Sequence, residues 1–248
     1  MDSATIFVCG SYELITLIGN VVVKSSNNVI FLSCEKPLKD TFKEIKIHHV
    51  KSQKECEEFI VKKLESQNNF LVSSYWPWKF SKDIIQNFKA QSLNFHPSPL
   101  PKDRGWFPHV HQIRKNEPSG VTLHVIDEEL DKGDIWTQKK VKLPYPITSG
   151  TAHELLKKEI VNIFNENWMK ILNSKIIPTK QEVGGNFYSK FLLETPEIVK
   201  IKEGSTEDIL IRKIASRNFN NKSYIKLKID EAEEKFIHIN FSDEGEID

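Results

Sequence analysis

From residue 4 to residue 95, short apolar runs alternate with helical patterns, and no other feature of the chain restricts its fold as strongly. Residues 4–9 ("ATIFVC"), 28–34 ("NVIFLSC"), 44–50, 70–74 and 91–95 read as strands. Between them, Gly10-Ser11 opens a helical pattern to about Val23, residues 52–67 form an amphipathic helix, and residues 81–88 form a third. The middle helix puts Cys56, Phe59, Ile60 and Leu64 on one face. A helix between two strands of one sheet is a crossover, so neighbouring strands run parallel. The expectation is α/β, a doubly wound sheet flanked by helices.

After Val121 the pattern changes. Residues 121–126 and 135–143 read as two strands joined by the acidic loop "DEELDKGD" (127–134), and a long helix follows over 151–173. From Lys175 a loop carries "GGNFYSKF". A short helix (207–215) and a β-hairpin (223–229 and 235–241 around "DEAEE") come next, and residues 243–248 read as a frayed acidic tail. We therefore expect one α/β domain over 1–174 and a smaller loop, helix and hairpin region over 175–248.

Composition excludes several partner classes. Lys+Arg at 35 nearly cancel Asp+Glu at 34, so no global charge draws the chain to nucleic acid or to an anionic membrane. The longest apolar stretch, 14–23, is interrupted by Thr16, Gly19 and Asn20 and falls well short of the ~20 residues that a membrane span needs. No Lys or Arg precedes the first apolar run, unlike a secretory leader. The three cysteines, Cys9, Cys34 and Cys56, form no CxxC pair and fit a reducing compartment. Cys9 and Cys34 each close an apolar run and read as buried small residues. The expected location is cytoplasmic.

The chemistry concentrates after the strand at 91–95. "LNFHPSPLPKDRGWFPHV" (93–110) sets four prolines among Asn94, His96 and the Arg104-Gly105 pair. In open α/β sheets ligands sit beyond the carboxyl ends of the strands, and this segment leaves such an end. So does "YWPWK", residues 75–79. Asn94 and His96 are two apart, on one face of an extended chain. An imidazole shuttles protons near neutral pH when a carboxylate such as Asp131 fixes its tautomer, and an amide NH₂ can donate to a developing oxyanion. Together they suit acyl-type transfer without an enzyme nucleophile; no GxSxG elbow is present. Taken singly, Asn-x-His also fits a core histidine, and "DKGD" (131–134) a plain turn. His109-x-His111 with His96 would offer metal ligands, but residues two apart at a helix start face different ways, so no metal is expected.

Read jointly, "NFHPSPLPKDRGWFP" and "GVTLHVIDEELDKGDIW" (120–136) closely resemble the formyltransferases that use 10-formyltetrahydrofolate. The likeness is strong over about residues 70–145. It implies a doubly wound formyltransferase-type mixed sheet, with Asn94, His96 and Asp131 as the catalytic triad. It also places the folate against Tyr75, Trp76, Pro77, Trp78, Lys79, Ile126, Asp127 and Asp134. A substrate amine would attack the formyl carbon; Asn94 and protonated His96 would stabilise the oxyanion, and Asp131 would keep His96 oriented. The prolines would hold Asn94 and His96 on a rigid turn.

Three branches of that family compete. Glycinamide ribonucleotide formyltransferases carry a glycine-rich phosphate loop where this chain has "CGSYELITL" with one glycine. Methionyl-tRNA formyltransferases share Arg104-Gly105 and "DKGD" but add a sizeable nucleic-acid-binding barrel. The sugar N-formyltransferases resemble this chain in length, in "NFYSKF" and in the terminal hairpin, which often builds a dimer. The implied acceptor is a nucleotide-linked dideoxy amino sugar such as dTDP-4-amino-4,6-dideoxyglucose, for surface polysaccharide. Arg104, Gly105, Trp106, Tyr188 and Lys190 are the candidate substrate-binding residues: an aromatic ring can stack a base, and cations suit a pyrophosphate. In the alternative reading of "NFYSKF", Phe187 and Phe191 anchor the loop in the core. The alternative functions are a methionyl-tRNA enzyme with a reduced C-terminal domain, or a non-catalytic folate or nucleotide-sugar binding module.

Overall fold

The computed structural model describes residues 5–35, 46–64, 69–88, 91–190, 196–200, 206–220, 222–229 and 233–239. Ala4, the start of the expected third strand, Gln67, the middle of the hairpin turn, Phe191, Phe241 and the acidic tail lie outside them. The chain begins β1 (Thr5–Gly10), α1 (Tyr12–Val23), β2 (Asn28–Ser33), β3 (Ile47–His49), α2 (Gln53–Lys62), β4 (Asn69–Ser74), α3 (Lys82–Phe88) and β5 (Ser92–His96). It continues β6 (Arg104–Gly105), α4 (Pro108–Lys115), β7 (Ser119–His124), β8 (Ile135–Val141), α5 (Ser149–Leu172) and β9 (Phe187–Tyr188). The last elements are β10 (Glu197–Lys200), α6 (Glu207–Ser216), β11 (Asn218–Phe219), β12 (Lys222–Ser223), β13 (Ile225–Ile229) and β14 (Glu233–Phe236).

Two compact units emerge: Met1–His96, Thr122–Gln138 and Ile160–Val183 form one, and Pro97–Val121, Lys139–Glu159 and Gly184–Asp248 the other. The first is built on a seven-stranded sheet of order β3-β2-β1-β4-β5-β7-β8. The pairs from β3 through to β5 are parallel, and β7 joins β5 antiparallel. The sheet is therefore mixed, and its order reverses between β1 and β4, where crevices for ligands open in doubly wound folds.

Apolar residues at nearly every strand position follow from helices on both faces. Phe7, Cys9, Leu32 and Leu71 pack with Cys56 and Ile60 of α2 and with Ile84 and Phe88 of α3. Phe70 meets Trp168 edge-on at 5.2 Å and Phe95 meets Phe164, so α5 lies on the opposite face. The caps match the sequence: Ser11 accepts from the Leu14 amide at the start of α1, and Ser52 from Glu55 at the start of α2. Cys9 is buried as expected, with its sulfur 3.9 Å from that of Cys56. Cys34 is only half-buried, because β2 ends at Ser33 and leaves it in the turn beyond.

The second unit differs more from the sequence reading. β10, read there as loop, pairs parallel with β13, which pairs antiparallel with β14 in the expected hairpin. Ser223, read as the first residue of the hairpin, instead pairs with Asn218 of β11. Ile214 of α6 and Ile225 of β13 form the core of this part with Leu210, Ile237 and Ile239. Arg114 of α4 grips Glu197 of β10 through two hydrogen bonds of 2.7 and 2.6 Å, the paired geometry that a guanidinium and a carboxylate favour.

His109 on α4 is 3% exposed, with its ring among Phe107, His153 and Phe219. Burial first, then the neighbouring His153 and His111, lower its pKa to about 3. A histidine held neutral when folded and titrating near 6.5 when unfolded contributes stability above that value that is lost as pH falls through 6.5 toward 3. Between pH 7 and pH 5 the loss from this group is about 2 kcal/mol. Urea midpoints at the two pH values should therefore fall further for the wild type than for His109→Phe; parallel decreases would contradict it.

Candidate active site

The site begins with three strand ends of the first unit. Asn94 and His96 both lie within β5, which ends one residue later than expected because antiparallel pairing with β7 carries the strand through His96. Asn94 is flanked by Ser73 of β4 and His124 of β7, and His96 faces Thr122. The backbone at both positions is thus fixed by strand pairing. The turn that follows is itself well bonded: Ser98 Oγ donates to Lys102 O at 2.6 Å, and Lys102 N to Pro99 O.

Asp131 comes from the loop after β7. Its φ of +56° is in the left-handed region, which aspartate tolerates better than most residues. Gln181 Nε2 clamps this loop by donating to the carbonyls of Asp131 and Gly133, at 3.1 and 2.9 Å. Val125 N donates to Asp134 O at 2.8 Å. Gly133 is required by close approach, since a Cβ there would stand 1.9 Å from Val125 O. The result is a buried carboxylate aimed back at β5.

Both Asp131 oxygens are used. Oδ2 is 3.5 Å from His96 Nδ1, and Oδ1 is 3.5 Å from both His124 Nε2 and Asn94 Nδ2. Such distances mark the outer limit of hydrogen bonding, as is common before reactants tighten a site. His96 is 4% exposed and Asp131 7%, so their interaction has little water to screen it. With Nδ1 turned to the carboxylate, Nε2 is the ring nitrogen that faces away from it. The arrangement can stabilise an imidazolium, hold an amide donor beside it and move one proton; it contains no nucleophile among the three.

The aromatic loop after β4 is next. Trp76, Trp78 and Ile126 pack on the α2–α3 side of the core, with Trp76 edge-on to Trp78 at 5.1 Å. Tyr75 has φ +54°, and Lys82 at the start of α3 bridges to Glu128 of the loop after β7 at 3.2 Å. Trp76 Nε1 is buried without a hydrogen-bond acceptor among the described residues, a donor that a bound heterocycle could engage. Planar apolar rings with one unused donor fit a pteridine. Pro77, Lys79, Asp127 and Asp134 are exposed, and Asp127 Oδ1 accepts from the Glu129 amide instead.

In the second unit, β6 and β9 pair in parallel, Arg104 with Phe187 and Gly105 with Tyr188. All five candidate substrate residues meet here. Gly185 (φ +76°) allows it: a Cβ there would stand 1.7 Å from Pro101 O. Tyr188 stacks on His111 at 3.5 Å and 10°, Lys115 donates to its hydroxyl, and Lys190 Nζ lies 5.1 Å above the Trp106 ring. Burial, with Lys115 and Arg114 nearby, lowers the His111 pKa to about 4. Arg104 Nε is buried with no partner among the described residues. Phe187 is 53% exposed, so it does not anchor the loop in the core. The open groove between α2 and α3 contains none of these residues.

Sequence reasoning missed His124 and Gln181, and weighed His111 only as a metal ligand. His124 stands inside a quoted motif at strand spacing; only the β5–β7 pairing shows that it faces Asn94. Among the described residues no three His, Cys, Asp or Glu side chains are grouped to hold a metal, and no helix is long and apolar enough to cross a membrane.

Known proteins resemble this chain in sequence and in fold. A methionyl-tRNA formyltransferase of Clostridium novyi is 29% identical over 136 residues, 54% of this chain and 44% of that protein. A dTDP-4-amino-4,6-dideoxyglucose formyltransferase of Mycobacterium bovis is 30% identical over 96 residues, 39% of this chain and 40% of that one. The chain spans less than half the length of these curated relatives in its matches. Two solved structures share the fold. One is a 4-N formyltransferase from Francisella tularensis, with TM-score 0.82 and 22% identity over 96% of this chain and 98% of that chain. The other is an N-formyltransferase from Helicobacter canadensis in complex with folinic acid and dTDP-3-aminofucose, with TM-score 0.69 and 20% identity over 92% and 84%. The formyl transferase family model matches residues 18–177, well over half of the sequence, and the chain therefore belongs to the formyl transferase family.

Proposed function

We propose that this protein is an N-formyltransferase that moves a formyl group from 10-formyltetrahydrofolate to the amine of a nucleotide-linked dideoxy amino sugar. The observation that carries the transfer chemistry is the buried Asp131 carboxylate reaching both His96 and Asn94. The folate supplies an activated formyl group on nitrogen; Trp76, Trp78 and Ile126 offer the apolar surface for its ring, with the neighbouring Tyr75, Pro77, Lys79, Asp127 and Asp134 at the rim. Asn94 Nδ2 donates to the oxygen that gains charge when the amine nitrogen bonds to the formyl carbon. His96 Nε2 takes the proton that the amine loses and returns it to the nitrogen that leaves the carbon. Asp131 stabilises the imidazolium between those two events. Expelling water from around these groups strengthens each interaction.

The sugar branch is favoured because Arg104, Gly105, Trp106, Tyr188 and Lys190 converge on one short parallel pairing. The solved Helicobacter canadensis relative holds a dTDP-amino sugar, and the Mycobacterium bovis relative is named for dTDP-4-amino-4,6-dideoxyglucose. That sugar, destined for surface polysaccharide, is our preferred acceptor. A homodimer through the C-terminal strands belongs to this reading: Ile198 and Phe236, 46% and 58% exposed, flank Lys226 in one cross-strand row. Methionyl-tRNA is the second acceptor, favoured by the Clostridium novyi relative. Tetrahydrofolate release should be followed with a panel of nucleotide amino sugars and with charged initiator tRNA. Turnover with the tRNA alone would reverse the choice, and none with any amine would leave only a binding role.

Within this reading Tyr188→Ala should raise KM for the nucleotide sugar about tenfold while that for the folate stays unchanged, since stacking on one aromatic ring contributes on the order of 1 kcal/mol. His111 covers one face of the ring, so the base uses the other. An unchanged sugar KM would put the base elsewhere.

A further inference from the structure

We infer that His124 is a positioning residue: its Nε2 pins one hydrogen of the Asn94 amide and thereby leaves the other aimed at the reacting oxygen. The inference rests on the formyl-transfer reading of the site, but its geometry is independent of the acceptor. His124 is 2% exposed at the end of β7, directly opposite Asn94 in the strand register. Its Nδ1 is 2.7 Å from Val125 O. A carbonyl oxygen only accepts, so Nδ1 carries the hydrogen, and in the neutral ring Nε2 is left as an acceptor.

That acceptor is 3.0 Å from Asn94 Nδ2. The amide therefore presents nitrogen to the ring; turned over, it would set oxygen against a second acceptor in a buried place. An amide plane fixed through one N–H fixes the direction of the other. The second hydrogen has Asp131 Oδ1 at 3.5 Å, a long contact that an oxygen gaining negative charge can displace. The charged or titratable groups facing His124 are the Asp131 carboxylate and the His96 ring, whose centroid is 6.3 Å away. The competing view is that His124 merely fills space between β7 and the Asp131 loop. Filling space needs a side chain of that volume, whereas pinning the amide needs an acceptor at the Nε2 position.

Two variants separate these views. Gln places an amide oxygen close to where Nε2 stands, and Leu fills the space without an acceptor. With folding verified by circular dichroism and melting, His124→Leu should lower kcat about tenfold to a hundredfold, the effect of a misaimed reacting group, with both KM values nearly unchanged. His124→Gln should recover most of that loss. A Leu variant with wild-type kcat, or a folded Gln variant as slow as Leu, overturns the inference. Nitrogen NMR on histidine-labelled wild-type protein supplies a readout that needs neither turnover nor a folded variant. The Nδ1–H tautomer of His124, with a hydrogen-bond coupling from Nε2 to the Asn94 amide, is expected, and an Nε2–H tautomer overturns it. Should wild-type protein transfer formyl to no amine, the functional reading fails and the tautomer measurement alone decides this one.

Discussion

Asp131→Asn should fold normally and lower kcat by several orders of magnitude, about 10⁴-fold when a buried histidine loses its carboxylate partner in a comparable dyad. The substitution keeps shape and volume. The clamp from Gln181 reaches the loop through backbone carbonyls, which the change leaves in place. What disappears is the negative charge beside His96, and with it the stabilisation of an imidazolium formed when the ring takes a proton from the amine. An amide would also bring an NH₂ toward His96 Nδ1 or Asn94 Nδ2, where the carboxylate offered only acceptors. Two donors would then oppose each other at one of these contacts. Melting temperature and kcat on the same preparation make the test. A folded variant within about tenfold of wild-type kcat would remove Asp131 from proton handling.

The parts of the fold legible in the sequence are those where one physical cause dominates. Buried parallel strands need apolar residues on both faces, so β1, β2, β4 and β5 announced themselves, and serine caps marked α1 and α2. β10 did not, because a four-residue strand, Glu197–Lys200, carries too little periodicity to outweigh its polar ends. It became a strand through tertiary contacts, pairing with β13 and holding Arg114 through Glu197. The candidate site divides the same way. Asn94, His96 and Asp131 were readable from residue types and from the family likeness. His124 lay in the same quoted motif, yet its partner is set by which strand lies beside β5, and a single sequence does not carry that register. Phe187 shows the converse: its apolar character suggested an anchor, but in the short pairing of β9 with β6 the residue is more than half exposed.

Asn94→Ala should reduce kcat about a hundredfold to a thousandfold, or about 2.7–4 kcal/mol of transition-state stabilisation, with smaller effects on both KM values. The reason lies in timing. A ground-state formyl oxygen carries little charge and gains little from one more donor, whereas the tetrahedral species carries a full oxyanion, so the amide's contribution appears mainly in kcat. The variant should fold, because Asn94 is only half-buried and its backbone pairing with Ser73 and His124 needs no side chain. It does leave His124 Nε2 without its 3.0 Å donor, a cost borne by stability that should appear as a lower melting temperature. Kinetics and melting thus report on different halves of one interaction. Asn94→Asp sharpens the contrast by retaining the shape while removing both hydrogens: it should be at least as slow as alanine, since a carboxylate beside Asp131 repels the developing oxyanion. Near-normal kcat in a folded alanine variant would take Asn94 out of the mechanism, and an aspartate variant faster than alanine would mean that the side chain's bulk, not its hydrogens, serves the reaction.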